Sequence, residues 1–309
     1  MARQSIIPVF VPHLGCPHSC VFCNQNRISG SLEPATEEDV KKALEGAPED
    51  CQLAFYGGSF TAIPVEKQLE LLRAGRGYTI RLSTRPDAID DETLSRLEEY
   101  GVETIELGAQ SMDARVLCLS GRGHGPEAVE KASLLIKERG FKLILQMMTG
   151  LPGDTKEKSL ETARRIAALR PDGVRIYPTV IVKDTALYEM WKRGKYEEHS
   201  VEEATDWCSE ILPIFEEAGI PVIRLGLNPT EELSGGAAVA GAYHPALGEL
   251  VKSRIMRNQL EELVRSSGEK SLEIIVPKNR LSQAIGQHRC NLEYLKEKYA
   301  LDELKIIGK

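Results

Sequence analysis

The 309-residue sequence predicts an α/β protein: an open, partial barrel of six parallel β/α units, followed by a small α+β module. Three observations predict it. Over the first two-thirds of the chain, short apolar runs alternate with amphipathic stretches, the mark of repeated β/α units. Each chemically suggestive motif directly follows one of those runs, and in such folds the chemistry gathers at the carboxyl ends of the strands. Residues 271–309 carry a compact β-α-α-β pattern of their own.

The expected strands cover residues 6–11, 52–56, 78–83, 104–107, 142–147 and 174–177. Helical patterns separate them at 36–46, 65–73, 90–99, 126–139 and 156–169. The helix at 90–99 has Asp90 and Asp91 in its first turn and Gly101 just past its end, the usual start and stop signals. Pro152-Gly153-Asp154 and Arg170-Pro171-Asp172-Gly173 are turn clusters. Helices near 185–193 and 201–218 and a short strand near 221–225 extend or cap the barrel. Residues 228–245 are rich in Gly, Ala and Pro and read as a connector, so the division expected is 1–245 for the barrel and 246–309 for the module. A helix over 247–265 opens that module.

A hydrophobic content of 42% and a charged content of 28% describe an ordinary globular chain. No apolar run approaches the ~20 residues of a membrane span, and residues 5–11 are too short for a signal peptide. A cytoplasmic protein without a membrane partner is expected. The net charge of −7 disfavours indiscriminate nucleic-acid binding. From Val251 to Lys309, however, 12 Lys/Arg face 8 Asp/Glu, a local surplus of four positive charges.

Three of the seven cysteines crowd into Gly15-Cys16-Pro17-His18-Ser19-Cys20-Val21-Phe22-Cys23, with C-x3-C-x2-C spacing after the first strand. An odd count and such crowding argue for a metal or redox site rather than a disulfide framework. Three thiolates this close can ligate three irons of a 4Fe–4S cube, leaving the fourth iron open to an aminoacyl chelate. A structural zinc with His13 or His18 as fourth ligand is the alternative, although zinc sites usually use paired C-x2-C units. Cys51, Cys118, Cys208 and Cys290 are expected to be small core residues.

The cysteine loop, with aromatic Phe22 before the third cysteine, resembles the signature of the radical S-adenosylmethionine (SAM) superfamily. The resemblance implies a TIM-like partial barrel, a 4Fe–4S cluster on Cys16, Cys20 and Cys23, and SAM as cosubstrate. It also implies that a reduced cluster splits SAM to a 5′-deoxyadenosyl radical. Phe55-Tyr56-Gly57-Gly58-Ser59-Phe60-Thr61 resembles the glycine motif whose backbone receives the SAM amino group. Ser83-Thr84-Arg85-Pro86-Asp87, Gly108-Ala109-Gln110-Ser111, Arg122-Gly123-His124, Met147-Met148 and Arg175-Ile176-Tyr177-Pro178-Thr179 resemble the Elongator catalytic subunit in order and spacing. A looser likeness to oxygen-independent coproporphyrinogen oxidases aligns Gln110 and Gln146 with ribose contacts and Arg122 with the SAM carboxylate. The cofactor-binding set implied is therefore Phe22, Gly57, Gly58, Ser59, Gln110, Arg122 and Gln146. Arg85 and Gln146 depart from the acidic residues of the porphyrin enzymes and weaken that reading. Only some 60 residues follow the connector, too few for the Elongator subunit's acetyltransferase domain, so acetyl transfer is not expected.

The terminal pattern resembles a KH domain, in which a GXXG loop between two short helices clamps single-stranded nucleic acid. Here the strand at 272–277, the helices at 279–285 and 291–299, and the strand at 304–307 flank Gly286-Gln287-His288-Arg289. Arginine replaces the second glycine. Gly286, His288, Arg289, Lys278 and Arg280 are the candidate RNA-binding residues.

The leading expectation is a radical SAM enzyme that modifies a nucleoside of tRNA or rRNA, reduced by an external one-electron donor such as flavodoxin or ferredoxin. The alternatives are radical chemistry on a free nucleobase, porphyrin or other small metabolite, and a non-catalytic iron–sulfur protein that binds RNA. Tyr177, Lys183 and His124 are substrate-side candidates at strand ends.

Overall fold

The computed structural model describes residues 5–11, 16, 18–24, 35–48, 50–229 and 233–309. The barrel begins with β1 (Ile6–Phe10), α1 (Glu37–Leu44), β2 (Gln52–Tyr56), α2 (Val65–Ala74), β3 (Thr79–Thr84), α3 (Asp91–Glu99) and β4 (Val102–Gln110). It continues through α4 (Ala114–Leu119), α5 (Pro126–Glu138), β5 (Lys142–Thr149), α6 (Lys156–Ala168), β6 (Gly173–Pro178), β7 (Val180–Val182), α7 (Ala186–Lys192), α8 (Val201–Glu217) and β8 (Val222–Leu225). Then come β9 (Ala238–Gly241), α9 (Leu247–Ser267), β10 (Ser271–Val276), α10 (Leu281–Ile285), α11 (Cys290–Tyr299) and β11 (Glu303–Gly308).

Seven strands, not six, make one parallel sheet in the order β1-β2-β3-β4-β5-β6-β8. The stretch expected to extend or cap the barrel extends it, because β8 pairs with β6 through Val174↔Val222 and Arg175↔Arg224. The sheet is curled. Strands β2 and β6 are four positions apart, about 19 Å on a flat sheet. Yet Arg175 on β6 donates from Nη2 to the Tyr56 hydroxyl on β2 at 3.4 Å.

Alternation along the strands separates two faces. Leu53, Phe55, Ile80, Leu82, Ile105, Leu107, Leu143, Leu145, Val174 and Ile176 point outward and pack with Leu94, Leu97, Val129, Ile136, Ile166, Ile211 and Phe215 of the covering helices. Burying each such side chain is favourable by about 1.5–3 kcal/mol, which makes this face the source of barrel stability. Tyr56, Arg81, Glu106, Gln146, Arg175 and Tyr177 alternate with them and face the lumen.

Side-chain caps fix where the helices start. Asp90 accepts from Thr93 N at 2.8 Å, and Asp113 from Val116 N at 2.9 Å. Thr36 with Asp39 and Ser200 with Glu203 form capping boxes.

Residues 228–245 are more than a connector. Within them β9 pairs antiparallel with β7, and a short π-helical stretch precedes it at Leu233–Ala237. The terminal β-α-α-β segment pairs β10 with β11 in parallel. Its own core joins Val276, Ala284, Leu292, Leu295 and Leu304 to Met256 and Leu260 of α9. Val251, earlier on the same helix, belongs to the barrel core. Helix α9 thus serves both cores. Among the described residues no helix is long and apolar enough to cross a membrane.

Candidate functional site

The cysteine loop lies at the carboxyl end of the sheet, and backbone bonds tie it down there. Val21 N donates to Ser120 O at 3.0 Å just after α4, and Leu187 N on α7 donates to Val21 O at 2.7 Å. Cys23 N closes a turn on Cys20 O at 3.1 Å. Phe22 packs against the cluster of Val116, Met148 and Leu151, which Tyr177 also joins. The loop is therefore held from three elements.

Burial, together with the neighbouring cysteines, raises the Cys16 thiol and pushes Cys23 up to about 12, while Arg122 opposes both shifts. The three sulfurs thus lie within one another's electrostatic reach. Cys16 also feels the Ser59 backbone N–H and the Arg85 charge, which links the loop to the glycine motif. Gly57 takes φ +100°, a conformation L side chains rarely adopt. Ser59 Oγ bonds Thr84 Oγ1 at 3.0 Å and accepts from Arg85 N at 3.2 Å, fixing the motif to the end of β3.

Arg122, 6% exposed, donates from Nη1 to Cys20 Sγ at 3.4 Å and from Nη2 to Gly108 O at 2.5 Å. Gln146 Nε2 donates to Gln110 Oε1 at 3.1 Å, and Gln110 sits at φ +66° at the end of β4. Arg85 is bound to Asp87 at 2.9 and 3.0 Å and reaches Arg122 O with Nη2. Burial raises the Asp87 carboxyl, but the hydrogen bonds from Arg85, and then its charge, outweigh burial and hold the group below its ordinary range.

Among the described residues, Arg85 Nη1 and Arg122 Nε are buried donors without a hydrogen-bond partner, whereas the buried His124 Nε2 is an acceptor, because Nδ1 donates to Gly125 O at 3.1 Å and burial keeps the ring neutral. An unmade bond on such a donor costs about 1–3 kcal/mol, so two guanidinium donors at one loop point to a missing acceptor. A thiolate-bound iron–sulfur core is anionic, as is a carboxylate chelating it. Both fit this donor set. Among the described residues no three His, Cys, Asp or Glu side chains are gathered for a single metal ion. A cube would take its three thiolates at separate irons.

The sequence-derived residues thus fall into two groups. Phe22, Gly57, Ser59, Gln110, Arg122 and Gln146 come together around Cys16, Cys20 and Cys23, with Gly58 inside the same motif. Tyr177 and His124 border them, whereas Lys183 is exposed past the end of β7. His13, the alternative zinc ligand, lies outside the described residues; His18 is exposed.

Lys278, His288 and Arg289 form a separate exposed group, with Arg280 partly covered. Gly286 has φ +79°, and a Cβ there would lie 2.7 Å from Cys290 Sγ. His288 and Arg289 follow in the left-handed region at φ +51° and +65°. Cys51 and Cys208 are core residues as expected, but Cys118 and Cys290 are exposed on helices α4 and α11.

Sequence reasoning passed over Arg81 and Glu106. Their signal was a polar residue at alternate positions of β3 and β4, strands that should read as apolar throughout if both faces were packed.

Residues 10–166 match the model of the Radical SAM superfamily, and residues 171–257 that of the Radical_SAM C-terminal domain. An uncharacterized protein of Methanocaldococcus jannaschii is 34% identical over 212 residues, 62% of this chain and 65% of that protein. The tRNA uridine(34) acetyltransferase of Methanocaldococcus infernus is 28% identical over 265 residues, covering 68% of this chain and 50% of its own. The solved structure of Methanocaldococcus infernus Elp3 with an N-terminal deletion aligns at a TM-score of 0.66 and 25% identity, over 83% of this chain and 63% of that one. The chain spans between half and about two-thirds of the length of these relatives.

Proposed function

The chain belongs to the radical SAM superfamily, and from that premise we propose that it modifies a nucleoside of RNA, in tRNA or rRNA. It shares the superfamily's enzyme class and its cofactors, a 4Fe–4S cluster and SAM. When bound, they supply a 5′-deoxyadenosyl radical that takes a hydrogen atom from the substrate. In this reading Cys16, Cys20 and Cys23 ligate three irons. The backbone at Gly57, Gly58 and Ser59 receives the SAM amino group, and Arg122, braced by Arg85, receives the carboxylate. Gln110 and Gln146 orient the ribose, and Phe22 walls the site.

One observation carries the proposal: Arg122 bonds Cys20 Sγ while its own Nε and Arg85 Nη1 stay buried and, among the described residues, unpartnered. The RNA half rests on the similarity to a tRNA uridine(34) acetyltransferase and on the exposed Lys278, His288 and Arg289. Those residues, with Arg280 and Gly286, act as a KH-like RNA clamp in a module spanning 246–309, beside a barrel unit spanning 1–245. A flavodoxin or ferredoxin supplies the electron, and the cytoplasm suits thiols kept reduced for a cluster.

The test is 5′-deoxyadenosine formation by anaerobically reconstituted, reduced protein with SAM alone, with total cellular RNA, or with nuclease-digested RNA. Stimulation by intact RNA alone is expected. Equal stimulation by digested RNA would replace RNA with a free nucleoside or other small molecule. No cleavage with the cluster intact would remove the radical assignment.

A further inference from the structure

The lumen of the barrel carries a second cationic site, distinct from the one at the cysteine loop. Its centre is Glu106, 5% exposed on β4. Arg175 meets both carboxylate oxygens, Nε at 2.8 Å and Nη2 at 3.2 Å. Tyr56 Oη donates to Oε1 at 3.0 Å, and Arg81 Nη1 approaches the same oxygen at 3.4 Å. The capacity of Glu106 as an acceptor is therefore filled by groups already present.

The donors are not used up. Among the described residues, Arg81 Nε is buried without a partner. Arg175 Nη1 reaches, among the described residues, the Tyr177 hydroxyl alone, at 3.4 Å. Arg224 is the register partner of Arg175 and shares its face of the sheet. Its Nε donates to Gly226 O at 3.1 Å, and among the described residues no carboxylate pairs with it. Among the described residues, these three guanidinium groups thus share one face of the sheet with the single carboxylate of Glu106, a surplus of two positive charges. Tyr56 remains a neutral donor, since burial and the Glu106 charge push its hydroxyl up to about 12.

This array connects to the reaction centre. Tyr177 touches Arg175 on one side and, on the other, packs in the same apolar cluster as Phe22 of the cysteine loop. A molecule held by the arginines would have Tyr177 as the link to that loop.

We propose that Arg81, Arg175 and Arg224 bind an oxyanion, the carboxylate or phosphate of the molecule on which the radical acts, with Tyr177 as its neighbour toward the cysteines. Unspent N–H donors with no free acceptor among them select an oxyanion over an amino-bearing group, and planar guanidinium matches carboxylate and phosphate geometry. This inference rests on the radical-enzyme reading of the cysteine site and narrows its substrate.

The experiment uses the full reconstituted chain with saturating SAM, so that the Arg122 site is filled. Line broadening of 13C-acetate, 13C-succinate and, through 31P, inorganic phosphate and uridine 5′-monophosphate is titrated at constant ionic strength. Saturable broadening by at least one probe is expected, weakened about tenfold or more in Arg81→Met and in Arg224→Met and largely kept in Arg81→Lys. Response to the carboxylates alone identifies a carboxylate, and response to the phosphorus probes alone identifies a phosphate. No saturable binding, or equal binding by wild type and both methionine variants, would overturn the proposal. Cluster absorbance and SAM binding are read on the same samples. Their loss alongside intact oxyanion binding would count against the radical reading and leave this site standing.

Discussion

Replacing Glu106 with glutamine keeps the shape of the lumen's central side chain and removes its charge. At an effective dielectric near 20, opposite charges about 3–4 Å apart attract by roughly 4–5 kcal/mol. Much of that offsets the cost of taking both ions out of water. The variant loses more than this balance suggests, because Arg175 and Arg81 stay in place with no counter-charge. Breaking a buried pair from one side costs about 3–5 kcal/mol. With about 2–4 °C per kcal/mol for a domain of this order of size, the melting temperature should fall by at least about 6 °C. Thermal unfolding followed by circular dichroism on anaerobic protein at pH 7 reads the shift. Urea titrations of Glu106→Gln, Arg175→Met and the double variant complete the cycle, whose coupling should be at least about 1 kcal/mol. A fall under about 2 °C together with strict additivity would show that the lumen is not organised around Glu106.

Four further outcomes are expected. Alanine at Cys16, Cys20 or Cys23 should each abolish the iron–sulfur absorbance after reconstitution, whereas alanine at exposed Cys118 or Cys290 should leave it unchanged. Arg122→Met removes a donor to Cys20 and should weaken SAM binding by roughly 10- to 100-fold, the range for a hydrogen bond to a charged group, as equilibrium dialysis would show. His199 is buried against Trp207, 4.5 Å between ring centres, and shares a bond with Thr149 Oγ1; burial lowers its pKa from 6.5 to about 4. The unfolded chain then binds the extra proton first, so stability is full above pH 6.5 and falls by about 1.4 kcal/mol per unit toward pH 4; in urea melts, His199→Gln should lose less between pH 7 and pH 5 than wild type. Charge reversal at Lys278 or Arg289 should weaken RNA binding and lower the slope of log K against log salt by about one for each phosphate no longer engaged.

The outward face of the barrel was legible in the sequence because apolar periodicity reports burial directly. Leu53, Phe55, Leu82, Ile105 and Leu145 announce strands, and Asp90 or Gly101 announce helix ends. The cysteine loop was legible because its spacing has few other uses. The place in the sheet of the strand near 221–225 was harder to read, since β8 is four residues long and only partly buried. So was β9, whose Ala-Val-Ala-Gly sequence looks like connector and becomes strand only by pairing with β7. Cys118 and Cys290 show the same limit: cysteine is usually buried, but residue type alone does not tell which face of a helix it occupies. The Arg85–Asp87 pair was visible as neighbours two apart, yet the bond from Arg85 to the Arg122 carbonyl depends on two chain turns meeting.

The lumen also bears on how a chain of net charge −7 meets a charged substrate. The overall field repels an anion at long range, but at physiological salt that field is screened beyond about 8 Å. What an approaching molecule meets at close range is local: exposed Lys278, His288 and Arg289 on the module, then Arg81, Arg175 and Arg224 inside the barrel. Between the lumen arginines and Arg122 lies the neutral Gln110–Gln146 pair. Gln146 is the register neighbour of Arg175. A carboxylate at that position would lie within reach of both guanidinium tiers, lower the positive charge that each offers and compete with ligands at both. Gln146→Glu should therefore weaken SAM and oxyanion binding together, each by about tenfold or more, a magnitude that takes one ionic hydrogen bond removed per site. Weakening at only one of the two sites would mean that the tiers act independently and that Gln146 does not stand between them.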